Sequence, residues 1–325
     1  MLAVLLLAAA EACVRWFERS AWIPPPSSFD GLVNSRLAEM EGRDFADAFW
    51  LLGNSTLAEG LDAGEVAREL GAPAWPLPHG SASLAGSMSL LRMYLDRLDS
   101  PLRVVIFVTV DDLNLHGLRA ERSQKYLNYQ PSRVPWVREN VRLVGNGPRV
   151  RQFLSGFAKS MLRGRFSLDF VVRKGTGTYD GRPIRDNDGN HDRLFRDFEP
   201  DLDSISALRR LSADAGLPPP VLVLMPVTDE HIRFRERFRP GWSYDAFRAD
   251  LRRACVASGV VFVDVGEPLD RHAWFRDTYH LNDEGKARMS PEIGRRIAEA
   301  LRLERHSGRT QAQADPNPGS RRQSS

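Results

Sequence analysis

The chain has 325 residues, 42% of them hydrophobic and 27% charged, with a formal net charge of only +3. This is ordinary globular composition, sized for one large α/β domain or two small ones, and it excludes a chain built as a whole for nucleic acid. Two cysteines, Cys13 and Cys255, exclude a disulfide framework or a zinc site made of cysteine alone.

Residues 1–10 read MLAVLLLAAA before Glu11 interrupts. The run is too short for a membrane span of about 20 residues. It fits the apolar part of a secretory signal or the outer half of a signal anchor, although the usual basic leader is missing. Glu11 also spoils a lipoprotein box before Cys13. The expectation is an exported, extracytoplasmic chain, with anchoring to the inner membrane through this segment left open. The competing reading is a short buried helix. Ile23-Pro24-Pro25-Pro26-Ser27-Ser28 cannot be helical, so the segment 1–26 ends in a linker.

Residues 32–41 read as a short helix and 45–52 as a buried strand that stops at Gly53-Asn54-Ser55-Thr56. A strand that ends in Gly-x-Ser and passes into a helix is how α/β enzymes expose a nucleophile. Ser55 or Thr56 acting only as a helix cap is the plainer alternative. A helix over 66–70 and a weak strand over 72–77 follow. Pro73, Pro76 and Pro78 demote that strand to a sheet edge, and it ends at His79-Gly80-Ser81. Leu84, Met88, Leu91, Tyr94 and Leu98 recur at helical spacing over 83–98. The strand 102–110 is apolar nearly throughout and should be central; it ends in Asp111-Asp112-Leu113-Asn114.

The pattern loosens from 114 to about 200. Residues 114–165 carry eleven Lys or Arg against two acids, Glu121 and Glu139, interleaved with Tyr126, Tyr129, Trp136, Phe153 and Phe157. This reads as a basic, aromatic, largely helical insertion, with a helix over 149–162. Residues 174–192 read as a turn-rich loop. Asp186-Asn187-Asp188-Gly189-Asn190 lacks the glycine position and closing Glu of a calcium loop, so a polar turn is expected there and no metal.

Order returns with a helix over 202–215 and a strand over 221–227. A helix over 244–258 follows, with Phe247, Leu251 and Cys255 on one face, then a strand over 260–265. Asp277-Thr278-Tyr279-His280 follows, then a closing helix over 291–303. Residues 306–325 lack apolar periodicity and read as a disordered tail. Strands alternating with helices predict a three-layer α/β sandwich around a mostly parallel, five-stranded sheet. Such sheets place their site at the carboxyl ends of the strands. Ser55, Gly80, Asp111, Asp277 and His280 all fall there.

On these residues the chain resembles the SGNH (GDSL-like) hydrolase superfamily over roughly 45–303, the insertion excepted. The matching blocks are Gly53-Asn54-Ser55, Gly80, Asp111-Asp112, and Asp277 with His280. The resemblance implies a flavodoxin-like fold for 27–305 and a triad in which Ser55 attacks an acyl carbonyl, His280 takes its proton and Asp277 orients the ring. It places the oxyanion donors at Ser55, Gly80 and position 111. The family carries Asn at that last position; this chain carries Asp, with Asn114 as the nearby substitute.

Exported SGNH proteins with a large insertion look like enzymes that remove or transfer acyl groups on cell-envelope glycans. The resemblance therefore implies an acylated carbohydrate or envelope polymer as partner, with no cofactor and no nucleic acid. The alternative it leaves is a catalytically weak SGNH scaffold that binds polysaccharide in an export or modification complex.

Overall fold

The computed structural model describes residues 42–79, 83–116, 198–238, 241–267 and 272–314, with single positions before residue 42. The N-terminal segment 1–26 apart from Glu11 and Ala12, Gly80, the interior of the insertion with the expected helix 149–162 and loop 174–192, and residues 315–325 lie outside the described residues.

Five strands form one sheet: β1 (Phe49–Gly53), β2 (Ala74–Pro78), β3 (Arg103–Val108), β4 (Val221–Leu224) and β5 (Val261–Asp264). Their order is β2-β1-β3-β4-β5, and every pairing is parallel. This is the flavodoxin-like order, in which the chain starts inside the sheet, winds outward one way and then the other. The three prolines confine β2 to an edge, where its outer side needs no donors.

Strand alternation sorts the core into two layers. Trp50, Leu52, Val104, Ile106, Val108, Leu222 and Leu224 face α3 (Leu84–Leu95), α4 (Asp203–Asp214) and α6 (Tyr244–Ser258). Leu51, Val105, Phe107, Val221, Val223 and Val263 face the other way, against α1 (Ser55–Gly60), α2 (Ala63–Leu70) and α7 (Asp283–Ala314). Both faces of β3 are buried, as its unbroken apolar run requires. The expected face of Phe247, Leu251 and Cys255 packs into the first layer.

Several boundaries differ from expectation, each for a local reason. β1 begins at Phe49 rather than 45 because Asp44 Oδ1 accepts from Ala46 N at 2.9 Å and Phe45 O from Ala48 N at 2.8 Å, which turns the chain first. β4 stops at Leu224; Met225 still donates to Val108 O at 2.7 Å, and Pro226 then has no N–H to give. The closing helix starts at Asp283, eight residues before Pro291, because Asn282 caps it: Asn282 Oδ1 accepts from Gly285 N at 3.0 Å. It also runs to Ala314, into the segment read as tail.

One helix was not expected at all, α5 (Asp229–Phe238). Its signals are in the sequence: Thr228 precedes two acids, and Arg235 and Arg237 sit in the last turn. Thr228 Oγ1 accepts from His231 N at 3.2 Å, which is the N-cap bond. At the expected insertion boundary the two ends meet. Asn114 bridges Pro200, Leu115 N donates to Glu199 O at 2.9 Å, and Asp201 N donates to Leu113 O at 2.8 Å.

Candidate active site

The carboxyl end of β1 passes straight into α1, and Gly53 makes this tight passage feasible. A Cβ there would lie 2.8 Å from Leu57 Cβ and 3.2 Å from Phe107 Cβ. Asn54 is the N-cap; its Oδ1 accepts from Thr56 N at 2.9 Å and Thr56 Oγ1 at 2.8 Å. Its Nδ2 donates to Asp112 Oδ1 at 2.6 Å, while Asp112 Oδ2 accepts from Thr109 N at 2.7 Å and Thr109 Oγ1 at 3.0 Å. The clamp ties the carboxyl ends of β1 and β3 together and holds Ser55 at the first position of α1. The backbone N–H there has no partner within its own helix.

Opposite Ser55 lies the turn 275–281. It is closed by the Phe275–Leu281 bridge and by Arg276 N donating to His280 O at 2.8 Å. Asn282 holds its base, donating from N to Trp274 O at 2.9 Å and from Nδ2 to Ala273 O at 2.6 Å. Gly285 lets α7 approach this close, since a Cβ there would sit 2.2 Å from Trp274 O. Within the turn, Asp277 Oδ1 accepts from Tyr279 N at 3.0 Å and His280 N at 2.8 Å, and Oδ2 accepts from His280 Nδ1 at 2.6 Å. One carboxylate therefore shapes the turn and orients the ring. With Nδ1 donating to Asp277, Nε2 is left as the acceptor, and Ser55 Oγ lies 2.8 Å from it.

The electrostatics favour an ionised Asp277. Burial alone would raise its pKa. The hydrogen bond and charge of His280, with the N–H groups of Tyr279 and His280, outweigh this and hold it at about 2. Arg276, which pairs with Glu59 of α1, stands 4.0 Å from Asp277 Oδ2. Ser55, His280 and Asp277 are thus brought together in one hydrogen-bonded row, with the ring in the middle.

Position 111 is a correction. The Asp111 side chain is fully buried, paired with Arg235 and 3.2 Å from His231 Nε2. Both oxygens of Asp111 thus face interior partners, Arg235 and His231, an arrangement at odds with the donor role that the resemblance implied for position 111. Asn114 does not take over simply: its Oδ1 accepts from His116 N at 3.2 Å and Glu199 N at 2.9 Å at the neck of the insertion. Gly80 lies outside the described residues. Burial lowers the Arg235 guanidinium to about 9, which leaves it charged at neutral pH, and its carbon sits 4.2 Å from the centre of the Phe198 ring.

Sequence reasoning missed the support behind the turn. Thr228 donates from N at 2.9 Å and from Oγ1 at 3.1 Å to Thr278 O, and His231 Nδ1 lies 3.0 Å from Thr278 Oγ1. The helix-start signature at Thr228-Asp229-Glu230 would have located α5; nothing local would have revealed its partner turn. Among the described residues, no group of three or more His, Cys, Asp or Glu is placed to hold a metal ion. No helix among them is long and apolar enough to cross a membrane.

No protein-family model matches the chain, and no curated protein matches it. Among solved structures, the chain is similar to the crystal structure of a "putative acylhydrolase" from Bacteroides fragilis, at 11% identity and a TM-score of 0.40, over 85% of this chain and 94% of that one. A likeness at this level says nothing of activity.

Proposed function

We propose that the chain is an SGNH-type serine esterase or O-acyltransferase acting on acyl esters of a cell-envelope polysaccharide or related glycan. The observation that carries the chemistry is the continuous relay of Ser55 Oγ to His280 Nε2 at 2.8 Å and His280 Nδ1 to Asp277 Oδ2 at 2.6 Å. Ser55 Oγ attacks the acyl carbonyl as His280 Nε2 takes its proton, and the Asp277 carboxylate steadies the imidazolium. The Ser55 N–H, at the start of α1, offers one hydrogen bond to the oxyanion. Collapse breaks the acyl C–O bond, and Nε2–H protonates the leaving sugar oxygen. Water or a second sugar hydroxyl then repeats the sequence on the acyl-enzyme, giving hydrolysis or transfer.

The glycan substrate rests on the basic, aromatic composition of residues 114–165, since aromatic faces stack on sugar rings and Lys and Arg meet uronate or phosphate. Export rests on the apolar run of residues 1–10. Alkaline phosphatase fused after Pro26 folds only where its disulfides form, so an inactive fusion would remove export from the proposal.

The test of the chemistry is labelling by a serine-directed fluorophosphonate together with hydrolysis of a short acyl ester. Wild type should be labelled at Ser55, and Ser55→Ala and His280→Ala should not be. A wild-type protein that resists the probe and turns over no acyl ester refutes the enzyme. The second reading, a weak or inactive scaffold that binds polysaccharide, is favoured by one observation, the commitment of Asp111 to Arg235 and His231. Retention on an acidic polysaccharide unchanged in Ser55→Ala, without esterase activity, is the outcome that selects it.

A further inference from the structure

We propose that His231 and Thr278 are positioning residues for the catalytic turn, held in place by the buried Asp111–Arg235 pair; this rests on the triad reading of Ser55, His280 and Asp277. The turn is exposed on the side of its own carboxylate: the Asp277 side chain is 41% accessible, whereas Thr278 is only 3% exposed. The turn is therefore fastened to the protein's interior through Thr278. Its carbonyl takes two hydrogen bonds from Thr228, and its hydroxyl meets His231 Nδ1 at 3.0 Å.

The other side of the ring meets the buried pair: His231 Nε2 lies 3.2 Å from Asp111 Oδ2, and Asp111 Oδ1 is paired with Arg235. The Arg235–Asp111–His231–Thr278 chain ends one residue from Asp277 and two from His280. Tyr279 fills the space between the imidazoles, with its ring centre 4.1 Å from that of His280 and 5.6 Å from that of His231. Two imidazole relays thus share one turn, one facing Ser55 and one facing the core.

Such a buried ionic chain is a poor way to gain stability, because desolvation consumes most of the attraction. A satisfied polar network does define one geometry and resist others. A nucleophile and base must meet within fractions of an ångström, and small misplacements are costly in rate. The cluster supplies that definition to a turn whose outer side lies in solvent.

The test compares Thr278→Val, which keeps shape and loses the hydroxyl, with Thr278→Ser, which keeps the hydroxyl. On a short acyl ester, Thr278→Val should lower kcat about tenfold with KM unchanged, and Thr278→Ser should stay within about twofold of wild type. His231→Gln should lower kcat similarly, and the double variant with Thr278→Val should be little worse than either alone. Equal kcat in the Val and Ser variants, or additive losses in the double variant, would overturn the positioning role. If wild type shows no turnover and no labelling, the triad reading fails instead. Ring-nitrogen NMR on the full chain still decides the positioning. His280 signals that shift in Thr278→Val and not in Thr278→Ser support it, and signals identical in all three proteins overturn it.

Discussion

Replacing Asn54 with Asp should destabilise the protein in a way that acid repairs. The side chains have the same shape, and the Oδ1 bonds that cap α1 survive. What changes is the atom 2.6 Å from Asp112 Oδ1: a donating NH2 becomes a carboxylate oxygen. Two carboxylates at that separation do not both stay ionised. The pair must share a proton, and the shared O–H then restores the hydrogen bond. The cost is that of protonating one carboxyl of ordinary pKa near 3.9, at about 1.4 kcal/mol per pH unit above it. That is about 4 kcal/mol at pH 7 and about 1.5 kcal/mol at pH 5. The sign follows from linkage: the folded variant binds an extra proton, so it gains on wild type as pH falls. Urea unfolding of both proteins at pH 7 and pH 5, followed by two spectroscopic probes, measures the difference. An equal deficit at the two pH values, or none at pH 7, would refute the Asn54–Asp112 clamp.

Asp277→Asn should leave the fold intact and lower kcat by about 10³–10⁴, because the amide no longer selects the Nδ1–H tautomer; esterase kinetics with circular dichroism check both halves. The same variant isolates a stability effect. With its pKa held at about 2, below the ordinary 3.8, ionised Asp277 contributes above roughly pH 4 and loses that contribution as pH falls toward 2. Its side chain is 41% exposed, so the screened contribution is about 1 kcal/mol, read as the shrinking gap between wild type and Asp277→Asn on acid titration. Gly53→Ala should cost about 1–3 kcal/mol, since its Cβ would press on Leu57 Cβ at 2.8 Å, and should slow fluorophosphonate labelling by shifting Ser55. Asp111→Asn, which restores the residue implied by the superfamily resemblance, should cost about 3–5 kcal/mol because Arg235 stays buried without its counter-ion. The double variant with Arg235→Met should recover most of that loss in the same urea measurement.

The sheet was legible because its strands are punctuated by chemistry: prolines at the β2 edge, the apolar run Val104–Val108 in β3, and Gly or small polar residues after β1, β2 and β3. The grouping of Ser55, His280 and Asp277 was legible for the same reason. Ser55, Asp277 and His280 each sit where a strand or turn must stop, and the Asp277–His280 spacing fits one turn. Boundaries were less legible, because Asp44 and Asn282 act through turns and caps that override hydrophobic pattern. The support behind the turn was not legible. His231 and Thr278 are 47 residues apart, and neither has a local reason to meet the other. That contact exists only because α5 and the turn 275–281 both pack at the carboxyl end of the sheet.

Position 111 shows how a departure from a family pattern should be weighed. Taken with its place in the chain alone, an Asp where an oxyanion donor is implied suggests a weakened enzyme. Taken with its partners, it has another task. A buried carboxylate facing Arg235 and His231 is linked through His231 and Thr278 to the turn that carries Asp277 and His280. An Asn in its place offers Arg235 an amide oxygen and no counter-charge. The residue at 111 is therefore coupled to those at 231 and 235, and the donor and anchoring roles compete for one side chain. This chain gives that side chain to anchoring. On the proposed chemistry, oxyanion stabilisation then falls first to the backbone N–H of Ser55 at the start of α1.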